Sequence, residues 1–178
     1  MNTPDLAFEA LKKARALLEV SAPLNLDCGR LCGAACCQGE GPGSRGGMLL
    51  FPGEEAMYPQ LPEGFVITPD NGIVPDGRLL TCAGTCRRED RPLGCRLFPL
   101  AIVLEGNGEP ELALDPRAWP ICPLMPSGMA GLSADFVSAA TEAMRALAGA
   151  NETRAFLIRQ AAFIRRLQRP LWESGAVS

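Results

Sequence analysis

Leu6, Ala10, Leu11, Ala14, Leu17 and Leu18 recur at helical intervals and predict an amphipathic helix near the start of the chain. Thr3 can cap it, Pro4 suits the first helical position, and Asp5 favours the positive end of the helix dipole. Pro23 ends the pattern. A shorter period follows. Met48 to Phe51, Phe65 to Thr68, Gly72 to Val74 and Leu79 to Thr81 read as brief strands between Pro-Asp-Asn-Gly and Pro-Asp-Gly turns. Pro52-Gly53-Glu54-Glu55 predicts a helix of one or two turns. Leu100 to Glu105 and Glu111 to Leu114 flank Gly106-Asn107-Gly108-Glu109-Pro110, a hairpin pattern. Helical periodicity returns from Ser133 to Leu147, breaks at Gly149, and resumes behind a capping Asn151 as far as Gln168, where Pro170 stops it. In that last segment Leu157, Ala161, Ile164 and Leu167 share a face, and Arg154, Arg165, Arg166 and Arg169 lie elsewhere.

These elements predict a small α+β fold: an N-terminal helix, a loop-rich, cysteine-bearing centre with short strands, and a C-terminal helical pair. The 178 residues suit one domain with a sizeable core. We place the cysteine-bearing domain, with the first helix, at residues 1–130, and a helical extension packed on it at 131–178. Glycine and proline concentrate between residues 22 and 131, and the run GEGPGSRGG at 39–47 cannot hold regular structure.

Charge removes two classes of partner. The formal net charge is −3, so no basic field exists to hold nucleic acid or an anionic membrane. No apolar run is long enough to predict a membrane span. Lys12, Lys13 and Arg15 lie inside the first apolar stretch, not ahead of it, which is not the plan of a secretion signal. These features predict a cytoplasmic protein.

In a reducing compartment, closely spaced cysteines bind metal or do redox work more often than they form disulfides. The chain has eight cysteines and no histidine. Cys28, Cys32, Cys36 and Cys37 form one group; Cys82, Cys86 and Cys95 form another, with Cys122 downstream. A spacing of four puts side chains on one face of a helical turn, with Cβ atoms roughly 5–6 Å apart. Gly29 and Gly33 favour a looser turn instead, and both geometries can present thiolates to one centre. Adjacent Cys36 and Cys37 cannot both face one way without strain. Cys122 sits in the stiff stretch Trp119-Pro120-Ile121-Cys122-Pro123, and it or one of the vicinal pair is the best candidate for plain core packing.

The run Cys28-x3-Cys32-x3-Cys36-Cys37, the segment Phe51-Pro52-Gly53-Glu54-Glu55, then Cys82-x3-Cys86 and Arg91-Pro92-Leu93-Gly94-Cys95-Arg96-Leu97-Phe98-Pro99, resembles the YkgJ-like cysteine-cluster family. Its bacterial members are described as zinc- or iron-chelating. The resemblance covers residues 28–99 and implies metal binding without implying a reaction.

The expected ligands are Cys28, Cys32, Cys36, Cys37, Cys82, Cys86 and Cys95, and the expected cofactor is a 4Fe–4S iron–sulfur cluster or zinc. All-sulfur ligation suits either, with iron–sulfur slightly preferred for its use of extra cysteines. Without histidine, catalytic zinc is disfavoured. Arg91 and Arg96 fall inside the motif, and we expect them to act on the cofactor from beside its ligands. Arg87 and Arg88 either join them or pair with Glu89 and Asp90 on a solvated face. Glu54 and Glu55 read equally as bases, ligands or charge at a helix start. Two other roles remain open: an interaction module that docks a protein partner through the terminal helices, and metal storage or delivery.

Overall fold

The computed structural model describes residues 3–25, 28–38, 47–84, 86–104 and 108–168. Helix α1 spans Thr3–Leu17. Its buried face is Ala7, Leu11 and Ala14, continued by Leu18 just past its end, while Leu6 stays 48% exposed. The sequence reading therefore had the periodicity right and the centre of the face wrong. The cause lies in the partner, since α1 packs chiefly on helix α4 (Ala134–Ala148). There Phe136, Ala140, Ala143, Met144 and Leu147 are buried, and the small alanines on both helices allow close approach. Ser133 precedes α4, and Gly149 closes it through an N–H bond to the Arg145 carbonyl. Helix α5 (Asn151–Gln168) buries Phe156, Leu157, Ala161 and Ile164, but leaves Leu167 50% exposed.

Two small antiparallel sheets complete the α+β fold. In the first, β1 (Gly47–Leu49), β3 (Arg78–Thr81) and β2 (Val66–Pro69) lie in the order β1-β3-β2. Leu80 of the central strand opposes both Met48 and Ile67. The second pairs β4 (Leu100–Val103) with β5 (Glu111–Leu114), Leu100 opposite Leu114, as the hairpin pattern predicts. The expected strand at Gly72 to Val74 is a turn instead. The Asp70 carboxylate accepts the Gly72 N–H at 2.7 Å, and the Asn71 amide oxygen accepts the Asp76 N–H at 2.8 Å. These local side-chain bonds compete with a ladder and win. Only glycine fits at Gly77, where a Cβ would stand 2.2 Å from the Asp70 carbonyl oxygen.

One core joins the halves of the chain. Leu11 of α1 and Leu18 just beyond it, Leu49 and Phe51, Leu93 and Leu97, Ile102 and Leu104, and the inner faces of α4 and α5 share it. Phe51 and Phe156 meet with ring centroids 4.7 Å apart. A second, much smaller cluster is built on Leu50, Phe65 and Leu80. The side chains of Thr3 and Asp5, the glycine-rich link at 39–46, Arg169 and Pro170 lie outside the described residues. Among the described residues no helix is long and apolar enough to cross a membrane.

Candidate metal centre

The first cysteine group does not form a continuous helix. Cys28 leads into a single turn, α2 (Gly29–Cys32), where the Cys32 thiol lies 3.8 Å from the Cys28 carbonyl oxygen. Gly33 (φ 61°) and Ala34 (φ 57°) are then both left-handed, and a 3-10 turn covers Ala35–Cys37. Two successive left-handed residues break the face that a spacing of four would have shared and re-aim the chain. The Gln38 amide closes the loop by donating to the Gly33 carbonyl at 2.9 Å. The looser of the two sequence geometries is the one adopted.

The second group is held by arginines. Residues Arg88–Asp90 form a 3-10 turn, and α3 (Leu93–Leu97) carries Cys95 and Arg96. Arg96 is 3% exposed. It donates to the carbonyls of Arg91 (2.9 Å), Glu89 (2.9 Å) and Arg15 (3.3 Å), and to the Glu19 carboxylate. Arg88 donates to the carbonyls of Leu18 (2.9 Å), Glu19 (2.5 Å) and Ser21. Both side chains thus satisfy carbonyls at and beyond the C-terminal end of α1, where cations also suit the dipole. Arg87 is the solvated partner of Glu89 and Asp90.

Glu54 fixes the same region from beneath. It is fully buried, its carboxylate accepting the N–H groups of Leu93 (2.6 Å) and Phe51 (3.1 Å), with Arg15 at 3.4 Å. Burial raises its pKa, and the two backbone donors and Arg15 oppose that rise. Arg15 also donates to the Tyr58 hydroxyl at 3.1 Å, and Tyr58 donates to the Asp90 carbonyl at 3.1 Å. Burial, partly opposed by Arg15, pushes the Tyr58 hydroxyl up to about 12. Glu54 is therefore a strut, not a candidate ligand. Its sequence signal was only a glutamate behind Pro-Gly, which gives no hint of a partner thirty-nine residues away.

The two cysteine loops touch. Gly84, left-handed at φ 90°, stands against the first loop so closely that a Cβ there would lie 3.3 Å from the Cys37 carbonyl oxygen. Cys95 feels the charges of Cys37, Cys86 and Cys82, and Cys86 feels those of Cys37 and Cys82. Cys36 feels Cys37, Cys32 and Cys28. The seven thiols outside Cys122 thus fall into two sets that meet at Cys37: an inner one with Cys82, Cys86 and Cys95, and an outer one with Cys28, Cys32 and Cys36. Cys122 packs against the main core, whereas Cys82 and Cys86 pack on the Leu50, Phe65 and Leu80 cluster. All eight cysteines are free thiols; Cys36 is exposed and the other seven are partly buried.

Burial pushes up the pKa of Cys95 and Cys86, and Arg91 opposes this at Cys86 through a hydrogen bond. The hydrogen bond between Cys36 and Cys37 raises Cys36 further than burial does. For Arg91, burial pulls the pKa down, but the Cys86 bond and the charges of Cys37, Cys86 and Cys36 outweigh it. Its buried Nε has no hydrogen-bond partner among the described residues. The two motif arginines have therefore separated: Arg91 faces the thiols, and Arg96 is occupied by α1. As they stand, no three cysteine, aspartate or glutamate side chains among the described residues converge tightly enough to hold a metal ion. The donor chemistry does fit a thiophilic group: clustered sulfurs and a buried guanidinium nitrogen with hydrogen-bonding capacity left over.

No family, curated protein or solved structure matches this chain.

Proposed function

We propose that the chain is a cytoplasmic metal-binding protein whose inner thiols, Cys37, Cys82, Cys86 and Cys95, hold an iron–sulfur cluster, with Cys28, Cys32 and Cys36 as outer ligands or reserves. The observation that carries this reading is the apposition of the two cysteine loops at Gly84 and Cys37. Packing alone gives no reason for so many thiols to share electrostatic contact around one arginine. When bound, a cluster of this kind supplies one-electron chemistry. The chain's own residues do the rest. Arg91 offsets the negative charge of the thiolates and keeps Nε for a sulfur acceptor. Leu50, Phe65 and Leu80 keep water from the face behind Cys82 and Cys86. Arg96, Arg88 and Glu54 fix the second loop to α1 and to α3, so that its thiols are positioned before any metal arrives.

A second reading, structural zinc on the same thiols, is favoured by the smallness of that apolar cluster. A loop-rich region with three buried side chains gains most from a metal that contributes folding energy. The likeness to the YkgJ-like family is compatible with either metal.

The test is anaerobic purification of the full chain, followed by metal and acid-labile sulfide analysis. Iron with sulfide and visible absorption is the expected result, and zinc without sulfide would establish the second reading. Cys82→Ser and Cys95→Ser should lose the metal, and Cys122→Ser should keep it. Protein that folds normally and holds no transition metal would sink both readings.

A further inference from the structure

The outer thiols have a chemistry that a single metal centre does not use. Cys36 and Cys37 are neighbours in one 3-10 turn, and Cys36 is exposed to solvent. Thiols on adjacent residues stay within one residue's span of each other, so side-chain rotation can bring both onto one thiophilic atom. Here the two left-handed residues at Gly33 and Ala34 and the Gln38 bond across the loop hold the turn that carries both cysteines.

We infer that Cys36 and Cys37 form a dithiol site for trivalent arsenic compounds, open to solvent through Cys36. Trivalent arsenic is soft and thiophilic, and it takes two sulfurs from one partner far better than two from separate partners. An organoarsenic(III) dihydroxide would react with both thiols. Two As–S bonds form and two As–OH bonds break. Each thiol proton leaves with a hydroxide as water, and arsenic stays trivalent, so no oxidant or reductant is needed. A dithiol on adjacent residues of one held turn forms this chelate by side-chain rotation, which limits the ordering cost of binding. Cys37 also belongs to the inner set, so an arsenical and a metal compete for it. The inference does not depend on the metal reading, since it requires only the reduced pair.

Phenylarsine oxide, which hydrates to the dihydroxide, is the probe. Reduced full-length protein treated with one equivalent should lose two titratable thiols and gain one arsenical by intact mass. The adduct should survive excess glutathione and be removed by dimercaptopropanol. Cys36→Ser and Cys37→Ser should each weaken retention by ~100-fold or more, the scale of the lost second attachment. Cys122→Ser should retain the adduct, and circular dichroism should confirm that all three variants are folded. Retention by folded Cys36→Ser equal to wild type, or an adduct stripped by glutathione, would overturn the assignment. Metal analysis separates the two proposals: protein that binds no metal but captures the arsenical sinks only the earlier reading, and protein that binds metal but not the arsenical sinks only this one.

Discussion

The Glu54 carboxylate accepts the Leu93 backbone N–H at 2.6 Å, joining the turn after β1 to the first residue of α3. Its other oxygen takes the Phe51 N–H at 3.1 Å, so both oxygens face donors in a fully buried site. Glu54→Gln keeps the size but offers only one acceptor oxygen, and its amide N–H groups would meet a backbone N–H. One buried donor is then left unmet, which costs about 1–3 kcal/mol. Urea unfolding of the variant should show that loss, and an unchanged midpoint would mean that the carboxylate is not the strut described above.

Glu54 and Glu19 respond to pH in opposite senses. The Arg96 hydrogen bond, followed by the charges of Arg96, Arg15 and Arg88, lowers the Glu19 pKa in the folded state. Its contribution to stability is therefore present above the ordinary glutamate range and lost as pH falls through the lowered value. Burial raises the Glu54 pKa, so its contribution is present below the ordinary range and lost as pH rises through the raised value. The Glu19 side chain is 46% exposed, so its share is small, below ~1 kcal/mol. The stability gap between wild type and Glu19→Gln should be widest near neutrality and close on acidification. A gap that widens in acid would contradict the assignment.

Arg91 and Arg96 occupy one short motif but predict different phenotypes. Arg96→Met removes the donor to the carbonyls of Arg15 and Arg91, leaves the Glu89 carbonyl to Arg15 alone, and removes the buried partner of Glu19. It should destabilise the fold by about 3 kcal/mol in denaturant titrations. Arg91→Met removes a guanidinium whose Nε has no partner in the metal-free fold, and it should cost stability little. Its effect should appear in metal retention, read as faster loss to a chelator. The reverse pattern would exchange the two roles.

What the sequence disclosed follows from the range of the interactions. The limits of α4 at Ser133 and Gly149 were readable because helical periodicity and its break at a glycine are local, although the Ser133 hydroxyl bonds Asn25 and not the helix start. The inward face of α1 was centred wrongly because it is chosen by α4, more than a hundred residues later. The strand read at Gly72 to Val74 failed because Asp70 and Asn71 hold the backbone with their own side chains. Within the candidate site, the two cysteine groups were legible from spacing, but their division at Cys37 was not. That division depends on Ala34, an alanine in a left-handed conformation that no local pattern announces. The motif likewise could not separate Arg91 from Arg96, since only the docking of α1 decides which one faces the thiols.

The contact between Gly84 and Cys37 can be tested apart from backbone strain. Gly84 has φ 90°, and a Cβ there would press within 3.3 Å of the Cys37 carbonyl oxygen. Gly128 also has a positive φ, 63°, that disfavours a side chain, but a Cβ there would meet nothing within 4 Å. Alanine at either position carries a conformational penalty of about 1–3 kcal/mol. Only Gly84→Ala should also push the two cysteine loops apart. Both variants should therefore unfold at lower urea than wild type by comparable amounts, while metal retention falls in Gly84→Ala and stays at the wild-type level in Gly128→Ala. If the two variants lose metal to the same extent, general destabilisation explains the loss. If neither does, the centre tolerates separation of the loops, and the thiols of one loop alone must suffice to bind.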